Sequence, residues 1–244
     1  MKSCDIAELV LQLVNYALKA QLIEDADKIW ALNSICAKLK IEGFEFKADD
    51  KIICDYPDQI LSAISAWAAA NKIISNIDRD IFETDLISTF LQRPSDFERR
   101  FFDLAKRKNM QAATDWMYQK QKQAAYIKAE RIKKNIVWKT KTEYGFLDLT
   151  INLAKPEKTP QEIAQIVRLN LPKQNYPKCV LCIENEGFCG NAKYPSKQNL
   201  RLIALKLNGE DWSFQFSPYV YYNQHCIVLS NVHTNMKIDQ NTFV

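Results

Sequence analysis

The sequence predicts an α+β protein, a helical N-terminal region followed by a largely antiparallel sheet. Three observations carry that expectation. Apolar residues recur at helical spacing up to about residue 135, strict alternation replaces that period in Gly145 to Leu153, and Asn208-Gly209 stands between two further alternating runs. We divide the chain into 1–140, expected to be mainly helical, and 141–244, expected to be the start of an α+β domain that continues beyond these residues. No low-complexity linker marks the division, so the two parts are expected to share a core.

In the first helix Ile6, Leu9, Val10, Leu13, Val14 and Ala17 fall on one face of a 3.6-residue period. Ile29, Leu32, Ile35 and Cys36 predict a second helix, and Ile60, Leu61, Ile64, Trp67 and Ala68 a third. A long helical region is expected after Pro94, where Ser95 and Glu98 have the spacing of a capping box. In GFLDLTINL, Leu147, Leu149, Ile151 and Leu153 alternate with polar residues, as in a strand with one buried face, and Pro156 ends it. Thr159 as N-cap, Pro160 at the first helical position and Glu162 open a helix to about Leu169. Leu200 to Leu207 and Trp212 to Phe216 form a hairpin around Asn208-Gly209, and His225 to Ser230 is a further strand.

Composition narrows the function. The 33 Lys and Arg against 29 Asp and Glu leave +4, too weak and too dispersed to argue for nucleic acid. With five glycines and no G-x-x-x-x-G-K-[ST] or G-x-G-x-x-G, neither a P-loop nor a Rossmann fingerprint is present. The N-terminus lacks the apolar run of a signal peptide, and nowhere do 18 apolar residues follow one another, so no membrane association is expected. Cys4, Cys36 and Cys54 stand isolated in or beside helical segments, the usage of a reducing cytoplasm. The last residues, KIDQNTFV, carry no terminating feature, and Asp239 reads as a cap for a helix left incomplete, which is the expectation for a truncated chain.

Three groups of residues bear on chemistry. Cys179-Val-Leu-Cys182 has the spacing of half a zinc site, with His233 a third candidate ligand; two reduced cysteines packed in a turn are the alternative. A redox pair is disfavoured because no clear helix follows to lower a thiol pKa. SPYVYYNQHC, Ser217 to Cys226, concentrates tyrosines with Ser, Asn and His, and suits either a core or a ligand wall whose rings pack on a base or sugar. His225 reads as a structural histidine or as a general base or nucleophile. Lys193, Lys197 and Arg201 could neutralise a phosphate or form a solvated face, and AERIKKN reads as an exposed helix face.

From about Phe102 onward the chain resembles the N-terminal portion of the bacterial class II UDP-glucose-hexose-1-phosphate (galactose-1-phosphate) uridylyltransferases. YIKAERIKKNIVW, EYGFLDLTINLAKPEKTP, PKCVLCIENEGF, LNGEDW, QFSPYVYYNQHCIVL and HTNMKI carry the resemblance in that order. It implies a fold related to the histidine-triad proteins. It also implies transfer of a uridylyl group from UDP-glucose to galactose 1-phosphate through a uridylyl-histidine, with a UDP-sugar and a hexose 1-phosphate as ligands. On this resemblance Arg201, Ser217, Tyr219 and Asn223 bind substrate, while Cys179, Cys182 and His233 match by position three metal ligands of the better-known class of the family, with zinc the candidate ion. The family's nucleophile lies in an H-x-H-x-Q motif that these residues lack, so no catalytic residue is assigned and a separately encoded C-terminal half is an expected partner. Where the family has G-R-x-N-H-P-A-R-x-N-H-R, Gly190, Pro195, Asn199 and Arg201 are kept, whereas Asn191, Lys193, Tyr194, Ser196, Lys197 and Leu200 differ. The alternatives are a non-catalytic nucleotide-sugar binding or interaction module and a gene remnant.

Overall fold

The computed structural model describes residues 6–42, 55–154, 159–168, 170, 176–191, 194–220 and 222–234. Cys4, Cys54, Pro156, Leu169, Lys193 and Asp239, named above, lie outside these. The first core forms where the helical stripes place it. All six stripe residues of α1 (Ile6–Lys19) are buried, in a cluster with Leu32 and Ile35 of α2 (Lys28–Lys38) and Ile60, Leu61 and Ile64 of α3 (Asp58–Ala70). Ile29, in the first turn of α2, departs from the expected stripe at 68% exposure, and Ala31 is buried instead. Helix α4 (Arg79–Ser88) adds Phe82, Leu86 and Ile87. A polar link binds α4 to α3: Arg79 Nε donates to Ser65 Oγ at 3.1 Å, and the Ser65 hydroxyl donates to Glu83 Oε1 at 2.6 Å.

The helical region expected after Pro94 is present and consists of two helices. α5 (Pro94–Arg107) ends at Lys108, and Asn109 caps α6 (Met110–Gln123) by accepting from the Ala112 amide at 2.8 Å. The expected capping box does not form. Pro94 already occupies the first turn, with Arg93 as N-cap, so Ser95 lies inside the helix and Glu98 is free to accept the Ala204 amide at 2.8 Å.

After α7 (Ala129–Ile132), strands β1 (Ile136–Thr142) and β2 (Gly145–Ile151) pair antiparallel, with Trp138 opposite Leu149. The predicted alternation is present in β2, but its apolar face is not buried: Leu147 is 54% exposed, because no second layer lies over the two-stranded ribbon among the described residues. Helix α8 (Pro160–Arg168) begins at the expected proline. The second sheet has the order β3 (Ile203–Leu207), β4 (Glu210–Phe216), β5 (Cys226–Ser230), all antiparallel. Asn208 and Gly209 take φ of 50° and 80°, the left-handed pair that a tight hairpin needs.

Strand β4 is covered on both faces. Phe216, with Ile203 of β3, joins Phe97, Phe101, Met117 and Tyr118 of α5 and α6 in one cluster, and the Tyr118 and Phe216 rings meet edge-on at 5.0 Å. Ser213 and Gln215, on the opposite face, are nearly as buried. Polar ties run beside this core. Gln121 Nε2 donates to Arg201 O at 2.8 Å, Asn199 Nδ2 to Ala124 O at 2.9 Å, and Arg201 Nε to Gln92 O at 2.8 Å. Among the described residues no helix is long and apolar enough to cross a membrane.

Burial raises the Glu83 carboxyl above the usual range, despite the Ser65 hydroxyl and the positive charge of Lys128 acting the other way. A raised carboxyl pKa means that the folded state holds its proton more tightly, so stability falls as pH rises through the ordinary glutamate range. Glu83→Gln is therefore expected to melt above the native protein at pH 7, with the gain shrinking toward pH 4.5; thermal scans at both pH values check it.

Candidate functional site

The Cys179–Cys182 turn is held by its own backbone and by one amide. Asn185, 1% exposed, donates through Nδ2 to the carbonyls of both Cys179 and Cys182 at 2.8 Å. The Leu181 amide donates to Cys179 Sγ at 3.4 Å. Cys179 Sγ and Cys182 Sγ lie 3.5 Å apart, and His233 Nδ1 approaches Cys182 Sγ to 3.1 Å, so the sheet does bring His233 to the pair. All three ligand atoms fall within 4.8 Å of one another. A tetrahedral zinc with bonds of about 2.0–2.3 Å separates its ligands by about 3.5–3.8 Å. The three residues fit such an ion with small adjustment, and among the described residues no fourth His, Cys, Asp or Glu joins them. Burial raises the Cys182 thiol, so a bound cation would have to supply the stabilisation of its thiolate.

The back of this turn walls a cavity of about 360 Å³. Val180 and Leu181 line it beside Gln215, Ser217 and Tyr219 from the sheet side and Asp80, Tyr126, Lys128 and Arg131 from the helical side. Lys197 completes it. The loop doubles back to place this residue: Lys197 N donates to Phe188 O at 2.8 Å, and Gly187 N to Lys197 O at 3.2 Å. Gly190 permits the close return with φ of +88°, since a Cβ there would stand 2.6 Å from the Ser196 amide nitrogen. Lys197 is 7% exposed, donates to Val180 O at 2.8 Å, and has its ammonium brought down to about 8 by burial, with Cys179 opposing the shift. It also lies 6.0 Å from the centre of the Tyr126 ring. Burial pushes the Tyr126 and Tyr219 phenols up, so both remain neutral donors.

Lys128, Arg131 and Lys197 outnumber the one carboxylate, Asp80, which already pairs with Arg131 at 3.4 Å. A half-open cavity with excess positive charge and two phenols suits an anionic ligand with a flat or ring-shaped portion.

Of the residues expected to bind substrate, Ser217 and Tyr219 line this cavity. Arg201 does not; buried, it spends its guanidinium on the carbonyls of Gln92, Gln198 and Leu200. Asn223 is exposed on the loop before β5. Asp80, Tyr126, Lys128 and Arg131 escaped the sequence reading. Lys128 and Arg131 stood in plain view in YIKAERIKKN, but the short α7 turns Arg131 toward Asp80 instead of leaving a solvated helix face.

A family profile described as galactose-1-phosphate uridyl transferase, N-terminal domain, matches residues 49–235. The chain belongs to this family. Relatives named galactose-1-phosphate uridylyltransferase include those of Fusobacterium nucleatum, 43% identical over 241 residues, and Clostridium acetobutylicum, 42% identical over 238. The alignments cover 98% and 95% of this chain but 47% and 46% of those relatives. That of Bacillus subtilis is 39% identical over 243 residues, 98% of this chain and 47% of its own. The chain thus spans about half the length of these curated relatives. No solved structure matches it. The uridyl transferase profile runs through both the helical and the strand walls of the cavity, from Asp80 to Ile227.

Titrating the purified chain with zinc against a chromophoric chelator is expected to show one ion bound per chain and a higher melting temperature, both lost in Cys182→Ser. Two reduced thiols beside an imidazole, with no ion, would instead give no uptake and a melting temperature insensitive to zinc.

Proposed function

We propose that this chain supplies the nucleotide-sugar-holding half of a galactose-1-phosphate uridylyltransferase, which converts UDP-glucose and galactose 1-phosphate to glucose 1-phosphate and UDP-galactose. The observation that carries this reading is the family match across residues 49–235, which spans every wall of the charged cavity.

In this reading the phosphates of the UDP-sugar lie against Lys197, Lys128 and Arg131, whose charges offset those of the diphosphate. Tyr219 and Tyr126 give ring faces and hydroxyls to the base or sugar, and Ser217 adds a hydroxyl from the end of β4. Arg201 acts at one remove, holding the loop that carries Lys197 and Asn199 against the helices. Asn223 offers its amide from the exposed loop that leads to β5. Cys179, Cys182 and His233 would hold zinc, which contributes a fixed cross-link at the back of the cavity wall. The covalent step needs a histidine set in H-x-H-x-Q, and the two histidines of these residues, His225 and His233, stand in no such motif. The chain by itself is therefore proposed to bind and not to turn over.

Calorimetry with UDP-glucose, run beside a turnover assay, separates the readings. The expected result is binding by the chain, weakened at least tenfold in Lys197→Met, with no turnover until the remaining half of a relative is supplied. Turnover by this chain alone overturns the assignment of the nucleophile elsewhere. Binding that no second half converts to turnover favours a non-catalytic sugar-nucleotide module.

A further inference from the structure

The hairpin β1–β2 divides its side chains by register. Ile136, Trp138, Leu147, Leu149 and Ile151 share one face, while Lys139, Lys141, Asp148 and Thr150 lie on the other with Val137 and Phe146. The polar face is braced in solvent by a Lys139–Asp148 ion pair at 3.4 Å. The apolar face has no such resolution. Its five large residues are 53%, 43%, 54%, 36% and 47% exposed, in the order given. Both edges of the ribbon are open among the described residues. A two-stranded hairpin is marginal on its own in water, and a continuous apolar face of this kind marks a contact surface.

The hairpin is nonetheless held at its base. Asn135 Oδ1 accepts from the amide of Ala154, which is fully buried, so the arm projects from a fixed root. Helix α8, the next element described, repeats the pattern, with Ile163 and Val167 exposed one turn apart. The length of the relatives indicates the occupant. Each of those named above carries, beyond the portion that aligns with this chain, a further polypeptide of similar length.

We propose that the apolar face of β1–β2 is the docking surface for the second-half polypeptide of this family, whose own apolar side chains cover Trp138 and Leu149. The inference rests on the reading of this chain as one half of a uridylyltransferase. Docking there leaves the cavity walls untouched, because none of the hairpin residues lines the cavity. It lets one half hold the sugar nucleotide while the other brings up the nucleophile.

The test co-expresses the tagged full chain with the remaining half of the Fusobacterium nucleatum relative. The native chain is expected to co-purify with it in equal amounts. The double variant Trp138→Lys/Leu149→Lys should lower recovery of the partner at least tenfold, while Phe146→Ser on the opposite face should leave it unchanged. Hydrogen exchange on the native pair gives a readout that needs no variant: amides 136–151 should become protected relative to the chain alone. Failure to co-purify, recovery indifferent to the double variant, or unprotected hairpin amides in the complex overturns the proposal. So does a self-associated form of the chain alone that Leu149→Lys dissociates, which gives the face to a second copy. UDP-glucose calorimetry on the same samples keeps the two readings apart. A complex that forms through this face and binds no UDP-glucose removes the functional reading while the interface stands. Binding by a chain that pairs with nothing does the reverse.

Discussion

The contact on which the rest depends is that of Phe216 and Ile203 with Phe97, Phe101, Met117 and Tyr118. It joins one face of the three-stranded sheet to a helical pair and so makes one core from two stretches of chain about a hundred residues apart. Each of these rings removes a large apolar area from water, and edge-on aromatic pairs add a modest directional preference. With Phe216 fixed, alternation along β4 turns Gln215 and Ser217 the other way, into the cavity. The helices then close that cavity from the far side with Tyr126, Lys128 and Arg131. The same packing that stabilises the fold therefore decides which polar groups face the cavity.

A second constraint sits at the turn between Cys179 and Cys182. Its inner side presents two sulfurs to His233, and its outer side presents Val180 and Leu181 to the cavity. Lys197 bridges the two by donating to Val180 O. A buried ammonium is costly to keep charged unless it has a partner, and among the described residues a single carbonyl satisfies only one of its three donors. Lys197, buried and in the lining, belongs to the cavity and not to a solvated face, and an anion placed there would satisfy the rest.

Much of the fold was legible because it rests on periodicity. The stripe of α1, the proline start of α8 and the Asn208-Gly209 turn are local signals, and each is found where it was read. The capping box failed for an equally local reason: Pro94 starts the helix one residue before Ser95 and leaves Glu98 to a strand amide. Burial was less legible. The alternation in β2 is real, yet which face meets a partner depends on contacts that alternation does not contain. At the site, the Cys pair, Ser217 and Tyr219 were visible as residue types in motifs. Asp80 and Arg131 were not, because their meeting is a product of tertiary packing between α4 and α7. Arg201 shows the converse, a cation conspicuous in sequence whose guanidinium the fold commits to carbonyls.

The shared cluster predicts that α5 and α6 open together with β3 and β4, and that the cavity exists only while they stay joined. Native-state hydrogen exchange on Phe216→Ala tests this most directly. Deleting the ring from a filled core costs about 3–5 kcal/mol. If the core is shared, the amides of α5 and α6 lose protection by the same factor as those of β4. Helices that keep their native protection while the sheet opens would contradict the account.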